Sequence, residues 1–155
     1  MSSREELQAE LAEQMQAFQA RVDAFDELAA MRLGINRTDL RCVEILMAQR
    51  SASPGELGPA LGLTTGGVTA MLIRLERLGY LRRVPHPDDG RKVIVQVTDE
   101  VLERTLEMYG PIAEGGHRLL AAYSDPEVEL LTGFLRAVRE LYDGNLERVK
   151  RLRPR

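Results

Sequence analysis

The stretch from residue 53 to residue 97 combines helix caps, helix stops and a turn in an order that few folds accommodate. Ser53, with a proline beside it and Glu56 three residues further on, predicts a capped start to a short helix. A Leu-Gly-Leu break follows, Thr64 caps a second helix, and Gly79 ends that helix. Two short helices joined by a tight turn are therefore expected in the middle of the chain.

A β-hairpin is expected directly after the second of these helices. Residues 80–84 form one predicted strand, an Asp-Asp-Gly turn follows at 88–90, and residues 91–98 form a return strand rich in valine and isoleucine. This order is the outline of a winged helix-turn-helix. In that arrangement the second helix enters the major groove of DNA while the hairpin reaches sideways.

Helices are also predicted on both sides of this region. Residues 5–33 contain good helix formers and an apolar stripe, and a second helix should run from 39 to 49 with Thr38 as its cap. After the hairpin, one helix is expected over 99–122, and Ser124 should cap the last one. The predicted fold class is therefore mainly α with a small β-hairpin wing.

The first helix is long for a chain of this size. At 1.5 Å per residue it would extend about 42 Å, more than a small domain covers alone. We therefore expect its stripe to lie between two copies of the chain; the alternative is packing on the chain's own core. One integrated domain would then contain an N-terminal dimerisation helix (1–36), a winged helix-turn-helix (37–98) and C-terminal dimerisation helices (99–155). The predicted dimerisation residues are Leu7, Leu11, Phe18, Val22, Phe25, Leu131, Leu135, Val138 and Leu141.

The charge distribution suits a DNA-binding segment within an acidic chain. The net charge is -3 overall, but residues 37–98 contain nine basic and six acidic residues, a net +3. No apolar run approaches the roughly 18 residues of a membrane span, and the N-terminus does not resemble a secretory signal. With one cysteine there is no internal disulfide. A cytoplasmic protein without a membrane partner is expected.

The start of the helix capped by Thr64 carries the candidate base contacts. Threonine hydroxyls donate or accept hydrogen bonds, and threonine methyls can touch a thymine methyl. Two successive glycines destabilise a helix by about 1 kcal/mol each relative to alanine. Their presence here favours the interpretation that the backbone approaches DNA closely, although a partly unwound first turn would also tolerate them. No Arg, Asn or Gln lies between Thr64 and Ile73, so few bidentate base contacts are expected. The candidate DNA-binding residues of this helix are Thr64, Thr65, Gly66, Gly67, Thr69 and Arg74.

The predicted wing supplies further candidates, Arg83, Arg91 and Lys92. An arginine at a hairpin tip suits a narrow minor groove, where the negative potential is strongest, and Arg91 directly follows the turn. Asp88 and Asp89 would meet phosphates if they faced DNA. We therefore expect them to support the wing by holding an arginine side chain in a charge-assisted pair. The alternative is a solvated turn of mixed charge.

Three segments together resemble the MarR family of bacterial transcriptional regulators. They are Leu-Gly-Leu-Thr-Thr-Gly-Gly-Val-Thr (61–69), Arg-Leu-Glu-Arg-Leu-Gly-Tyr-Leu (74–81) and Asp-Asp-Gly-Arg-Lys-Val-Ile-Val-Gln-Val-Thr (88–98). The resemblance covers nearly the whole chain and implies a homodimer that places two recognition helices on a pseudo-palindromic stretch of double-stranded DNA. It also implies a repressor, often released by a small anionic or phenolic effector. This chain departs from the family pattern at Val97, where a leucine is usual, and at Ala70, where many members have a polar or basic residue.

The same resemblance implies a ligand crevice between the dimer helices and the winged region. The side chains proposed to line it are Met31, Met47, Met108, Tyr109 and His117, and each is also a candidate for simple core packing.

Other functional classes receive little support from the sequence. Cys42 lies beside inward-facing residues and has no resolving partner, so a structural thiol is favoured over a redox sensor. His86 and His117 lie apart, and neither a phosphate loop nor a nucleophile elbow is present, so no metal, cofactor or enzymatic activity is expected. The competing hypothesis is a winged-helix protein-interaction module with little DNA affinity, which the acidic total favours.

Overall fold

The computed structural model describes residues 3–152. Residues 1–2 and 153–155, the ends of the predicted segments 1–36 and 99–155, lie outside the described residues. The described part forms six helices and a two-stranded antiparallel hairpin, which confirms the predicted fold class. The elements are α1 (Arg4–Leu33), α2 (Arg37–Gln49), α3 (Pro54–Leu61), α4 (Thr65–Arg77), β1 (Leu81–Pro85), β2 (Val93–Val97), α5 (Asp99–Leu120) and α6 (Asp125–Lys150).

The caps predicted for the two central helices are confirmed. The Ser53 hydroxyl accepts the backbone N–H of Glu56 at 3.3 Å, and the Glu56 carboxylate accepts the N–H of Ser53 at 2.7 Å. Thr64 Oγ1 accepts the N–H of Gly67 at 3.2 Å and so opens α4. Just beyond the end of α4, Gly79 adopts a φ of 75°, in the left-handed region that favours glycine.

The cap predicted for α2 is wrong by two residues. Asn36 caps the helix: its Oδ1 accepts the N–H of Asp39 at 2.8 Å, and the Asp39 carboxylate accepts the N–H of Asn36 at 3.4 Å. Thr38 lies inside the first turn. An asparagine followed three residues later by an aspartate satisfies both backbone donors, as a capping box does, whereas Thr38 has no acidic residue at that spacing.

One core joins α2, α3, α4 and the hairpin to the end of α1 and the start of α5. The inward faces predicted for α2 and α4 are confirmed, because Leu40, Val43, Leu46, Val68, Met71, Leu72 and Leu75 are all buried. The strand limits differ from the predicted ones by one or two residues, and Pro85 takes the last position of β1, opposite Val93. A proline is tolerated there because it ends the strand.

The chain divides into two compact units, residues 1–109 and residues 110–155. The first unit contains the core and the winged helix-turn-helix. The second contains the end of α5 and all of α6, and every described residue of α6 is at least partly exposed in the single chain. Within residues 3–152, no helix is both long enough and apolar enough to cross a membrane.

Candidate nucleic-acid interface

Helix α4 packs one face on the core and presents the opposite face to solvent. Its buried positions recur every three or four residues, so the residues half a turn away point outward. We call that outward-facing row the outward stripe, and all its members are exposed. It consists of Gly66, Ala70, Ile73 and Arg77.

The threonines at the start of α4 are partly engaged by the helix itself. Thr64 Oγ1 accepts the N–H of Gly67, so its own O–H remains a donor. Thr69 Oγ1 donates to the carbonyl of Thr65 at 3.0 Å and retains only acceptor capacity toward another molecule. Thr65, Gly66 and Thr69 are exposed beside or on the outward stripe.

An ion pair between buried Asp39 and partly exposed Arg74 fixes α4 against α2. The Asp39 side chain is 0% exposed, and the Arg74 guanidinium forms a bidentate pair with it. Arg74 Nε donates to Asp39 Oδ2 at 2.9 Å, and Arg74 Nη2 donates to Asp39 Oδ1 at 2.5 Å. This hydrogen bonding raises the pKa of Arg74 above its usual value. The predicted contact of Arg74 with DNA would therefore compete with its hydrogen bonds to Asp39. In the free chain this guanidinium positions α4.

The base of the hairpin is tied to α1 and α5, and its two ends are tied to each other. The Tyr80 hydroxyl donates to the carbonyl of Leu33 at the end of α1, at 2.8 Å, and accepts from Arg104 Nη1 of α5 at 3.2 Å. Thr98 Oγ1 donates to the carbonyl of Gly79 at 2.6 Å. These bonds hold the base of the hairpin in a defined position relative to the end of α1 and the start of α5.

The three basic residues predicted for the wing have different surroundings. Arg83 Nε donates to Glu76 Oε1 at 2.8 Å, which joins β1 to the last turn of α4. Lys92 Nζ lies 3.6 Å from Asp89 Oδ2. Arg91 is exposed at the turn. Of the three, the Arg91 side chain has the most direct access to an external phosphate.

Asp89 supports the turn, but not through an arginine side chain. Its Oδ1 accepts the backbone N–H of Arg91 at 3.2 Å, and its Oδ2 is paired with Lys92. The predicted aspartate–arginine side-chain pair is therefore wrong at this position, because a backbone amide and a lysine take its oxygens. Asp88 is exposed, and its backbone N–H donates to His86 Nδ1 at 3.1 Å.

Most of the predicted dimerisation residues are exposed apolar side chains in the single chain. Phe18 is 69% exposed on α1 and Leu135 is 61% exposed on α6. The others that are exposed are Leu7, Leu11, Val22, Leu131 and Leu141, and Val138 is half-buried. Phe25 differs, because it packs on the chain's own core with its ring edge-on to Tyr109 at 5.0 Å. The alternative of core packing therefore applies to Phe25.

Of the residues predicted for a ligand crevice, Met47, Met108 and Tyr109 pack against the core, and Tyr109 also donates to Asp26 Oδ1 at 2.7 Å. Met31 is exposed in the first unit, and His117 is exposed in the second. An open cavity of about 540 Å³ lies in the first unit, and of the five predicted residues only Met108 lines it. Its other lining residues are Arg32, Leu33, Arg104 and Glu107.

Cys42 is 0% exposed in the core. Burial, assisted by the negative charge of Asp39, raises the pKa of its thiol to about 12. At neutral pH the thiol is therefore protonated and shielded, as expected for the predicted structural cysteine rather than for an oxidant sensor.

Comparison with known proteins identifies the family. The sequence model of the MarR family matches residues 35–93, which contain α2 to the start of β2. The uncharacterized HTH-type transcriptional regulator YcgE of Bacillus subtilis is 32% identical over 149 residues, covering 96% of this chain and 97% of YcgE. The chain belongs to the MarR family.

Solved structures with low sequence identity share the fold of this MarR-family chain. The transcriptional regulator Tm0710 from Thermotoga maritima matches with a TM-score of 0.62 at 19% identity, over 90% of this chain and 98% of that one. The S. aureus MepR–DNA complex matches with a TM-score of 0.57 at 17% identity, over 82% and 96% of the two chains.

Three features of the interface were not found by sequence reasoning. Tyr80 anchors the hairpin, Asp39 binds Arg74, and Arg77 extends the outward stripe. Helical periodicity could have identified Arg77, since it lies four residues beyond Ile73 on the exposed face. The partners of Tyr80 and Asp39 lie 47 and 35 residues away, so local patterns carry no signal for them.

Proposed function

We propose that this chain is a cytoplasmic, sequence-specific DNA-binding transcriptional regulator that acts as a homodimer on a pseudo-palindromic operator, as a repressor. The observation that carries the proposal is the exposed outward stripe of α4, flanked by threonines and held beside a basic hairpin in a segment of net charge +3. Family membership supports the same assignment.

In this proposal the start of α4 approaches base edges in the major groove. Thr64, Thr65 and Thr69 offer hydroxyls and methyls, and the glycines between them let the backbone approach closely. A Cβ atom added at Gly66 would meet no atom within 4 Å in the free chain, so no close contact inside the described part of the protein requires glycine there. Arg83, Arg91 and Lys92 would serve the wing, and Arg74 would act through its pairing with Asp39.

The homodimer is proposed from the apolar side chains left exposed on α1 and α6. Burying them between two chains would remove several large side chains from water, at about 25 cal/mol per Å² of apolar surface. In such a dimer the two copies of α4 would lie about one duplex turn, 34–36 Å, apart, as recognition helices do on a two-fold operator.

We propose that a small anionic or phenolic effector binds in the cavity of about 540 Å³ in the first unit and thereby releases the protein from DNA. Arg32 and Arg104 line it together with Leu33 and Met108, so it offers cationic groups and apolar surface to one ligand. Arg104 also donates to Tyr80 at the base of the hairpin. An anion that drew Arg104 away would remove one support of the wing.

The second candidate is a protein-interaction module with the winged fold and little DNA affinity. It is favoured by the shortage of hydrogen-bonding side chains on the outward stripe and by the net charge of -3. The two candidates differ in how affinity for DNA depends on salt, because phosphate contacts release counterions.

The test is fluorescence anisotropy with a labelled duplex of random sequence, followed by duplexes selected from a random library. A regulator should bind at low salt with affinity that falls steeply as salt rises, and should prefer selected duplexes by at least about 10³-fold. Gly66→Glu should abolish binding by adding a negative charge at the tip of α4. Gly144→Glu is the control, since both glycines have open surroundings and lie on exposed helix surface. Absence of salt-dependent binding would favour the interaction module.

A further inference from the structure

The exposed face of α4 is unusually apolar for a helix proposed to contact bases. From Gly66 to Ile73, a rise of about 10.5 Å along the helix, the outward stripe offers only a glycine, the methyl of Ala70 and the branched chain of Ile73. Ile73 is 40% exposed, although the other large apolar residues of α4 (Val68, Met71, Leu72 and Leu75) are buried. Two fifths of the surface of Ile73 is therefore open to solvent in the single chain.

The polar groups beside the stripe add little hydrogen-bonding capacity. Thr69 uses its hydroxyl hydrogen on the carbonyl of Thr65 and is left as an acceptor with an exposed methyl-bearing side chain. Bidentate recognition of guanine needs Arg or Lys, and that of adenine needs Asn or Gln. Between Gly66 and Ile73 none of these residue types occurs.

One base in the major groove presents an apolar group at its edge, the C5-methyl of thymine. We propose that the outward stripe recognises A·T pairs through thymine methyl groups, with Ile73 as the main specificity-determining contact and Ala70 and Thr69 beside it. Because Gly66 has no side chain and Ala70 has only a methyl group, α4 would lie deep enough in the major groove for this contact. The inference rests on the proposed function, because it requires α4 to enter the major groove.

The dimensions agree with this assignment. The 10.5 Å from Gly66 to Ile73 matches about three base-pair steps of 3.4 Å, so one α4 spans about four consecutive pairs. Arg77 continues the stripe one turn further on, where a cation meets the phosphate backbone at the edge of the groove.

Replacing thymidine by deoxyuridine tests the proposal, because it removes only the methyl groups. Duplexes are selected from a random library with the unmodified full-length protein, then synthesised with thymine or uracil in their central region. Selected duplexes should place thymine in each half-site, and affinity should fall about fourfold for each contacted methyl that is removed. Ile73→Ala should bring the thymine-to-uracil affinity ratio close to one. Leu78→Ala is the matched control: Leu78 is equally exposed, at 40%, but lies off the stripe, so its ratio should stay unchanged.

Equal affinity for the thymine and uracil duplexes would overturn the inference while leaving DNA binding intact. Selection of G·C-rich half-sites, or a ratio that Ile73→Ala leaves unchanged, would overturn it as well. Absence of salt-dependent binding to any duplex would overturn the proposed function itself. The uracil experiment uses the unsubstituted protein, so the test stands even if a variant folds poorly.

Discussion

Replacing Arg74 by methionine should destabilise the protein strongly, although Arg74 itself is 46% exposed. The substitution leaves the Asp39 carboxylate, which is 0% exposed, without either of its guanidinium donors. Removing one partner of a buried ion pair costs about 3–5 kcal/mol. Because solvent reaches the Arg74 side of this pair, we expect about 3 kcal/mol, the lower end of that range.

The measurement is urea unfolding followed by circular dichroism at one fixed protein concentration, since a dimer gains stability with concentration. With a slope of about 2 kcal/mol per molar urea, the midpoint of Arg74→Met should fall by about 1.5 M. Arg77→Met, on the same helix and exposed, is the control and should shift the free energy of unfolding by less than about 0.5 kcal/mol. The double variant Asp39→Leu/Arg74→Met should recover most of the loss, because it removes the buried charge together with its partner.

The double variant also separates two roles of Arg74. If Arg74 acts only by positioning α4, the double variant should regain DNA affinity together with stability. If Arg74 also contacts DNA, affinity should remain low after stability has returned. A loss below about 1 kcal/mol in Arg74→Met, or a double variant no more stable than the single one, would refute the structural reasoning.

Three other predictions concern the wing, the dimer and the cysteine. Arg91→Ala should weaken DNA binding by about 1–3 kcal/mol in anisotropy titrations without changing the fold, whereas Arg21→Ala on α1 should have no effect; equal affinities would exclude the wing contact. Phe18→Glu and Leu135→Glu should each shift sedimentation toward a monomer, while Phe18→Leu should not, and unchanged dimers would remove these side chains from the interface. Cys42 should resist Ellman's reagent and peroxide until urea unfolds the chain; rapid labelling of the folded protein would contradict its burial. Because burial raises the pKa of this thiol to about 12 from an unfolded value of 9.0, its contribution to stability should be present below about pH 9 and lost as pH rises toward 12.

Most features determined by neighbours in the sequence were predicted correctly from the sequence. The caps at Ser53 and Thr64 need only the residues within one turn, and the buried face of α4 follows from helical periodicity. Even the wrong cap of α2 was recoverable, because the spacing of Asn36 and Asp39 is also a local signal.

Features that depend on long-range packing were not predictable in the same way. The stripe along α1 repeats at regular spacing from Leu7 to Phe25, yet Leu7 is 56% exposed and Phe25 packs on the core. Periodicity gives the direction in which a side chain points, but it does not show where along a helix the core ends. Tyr80 illustrates the same limit, since its hydrogen bond to the carbonyl of Leu33 joins residues 47 positions apart.

The ion pairs within the chain also explain why a dimer suits the proposed function. Residues 37–98 contain nine basic side chains, all in the described part, and five of them pair with carboxylates of the same chain: Arg37, Arg41, Arg74, Arg83 and Lys92. About four per chain then have no carboxylate partner within residues 3–152, and if these alone contacted phosphates the salt slope would be about −3.6 for one chain and about −7 for two. One copy would therefore bind DNA weakly at physiological salt. Two copies joined through α1 and α6 would double the phosphate contacts and leave specificity to the outward stripe of α4.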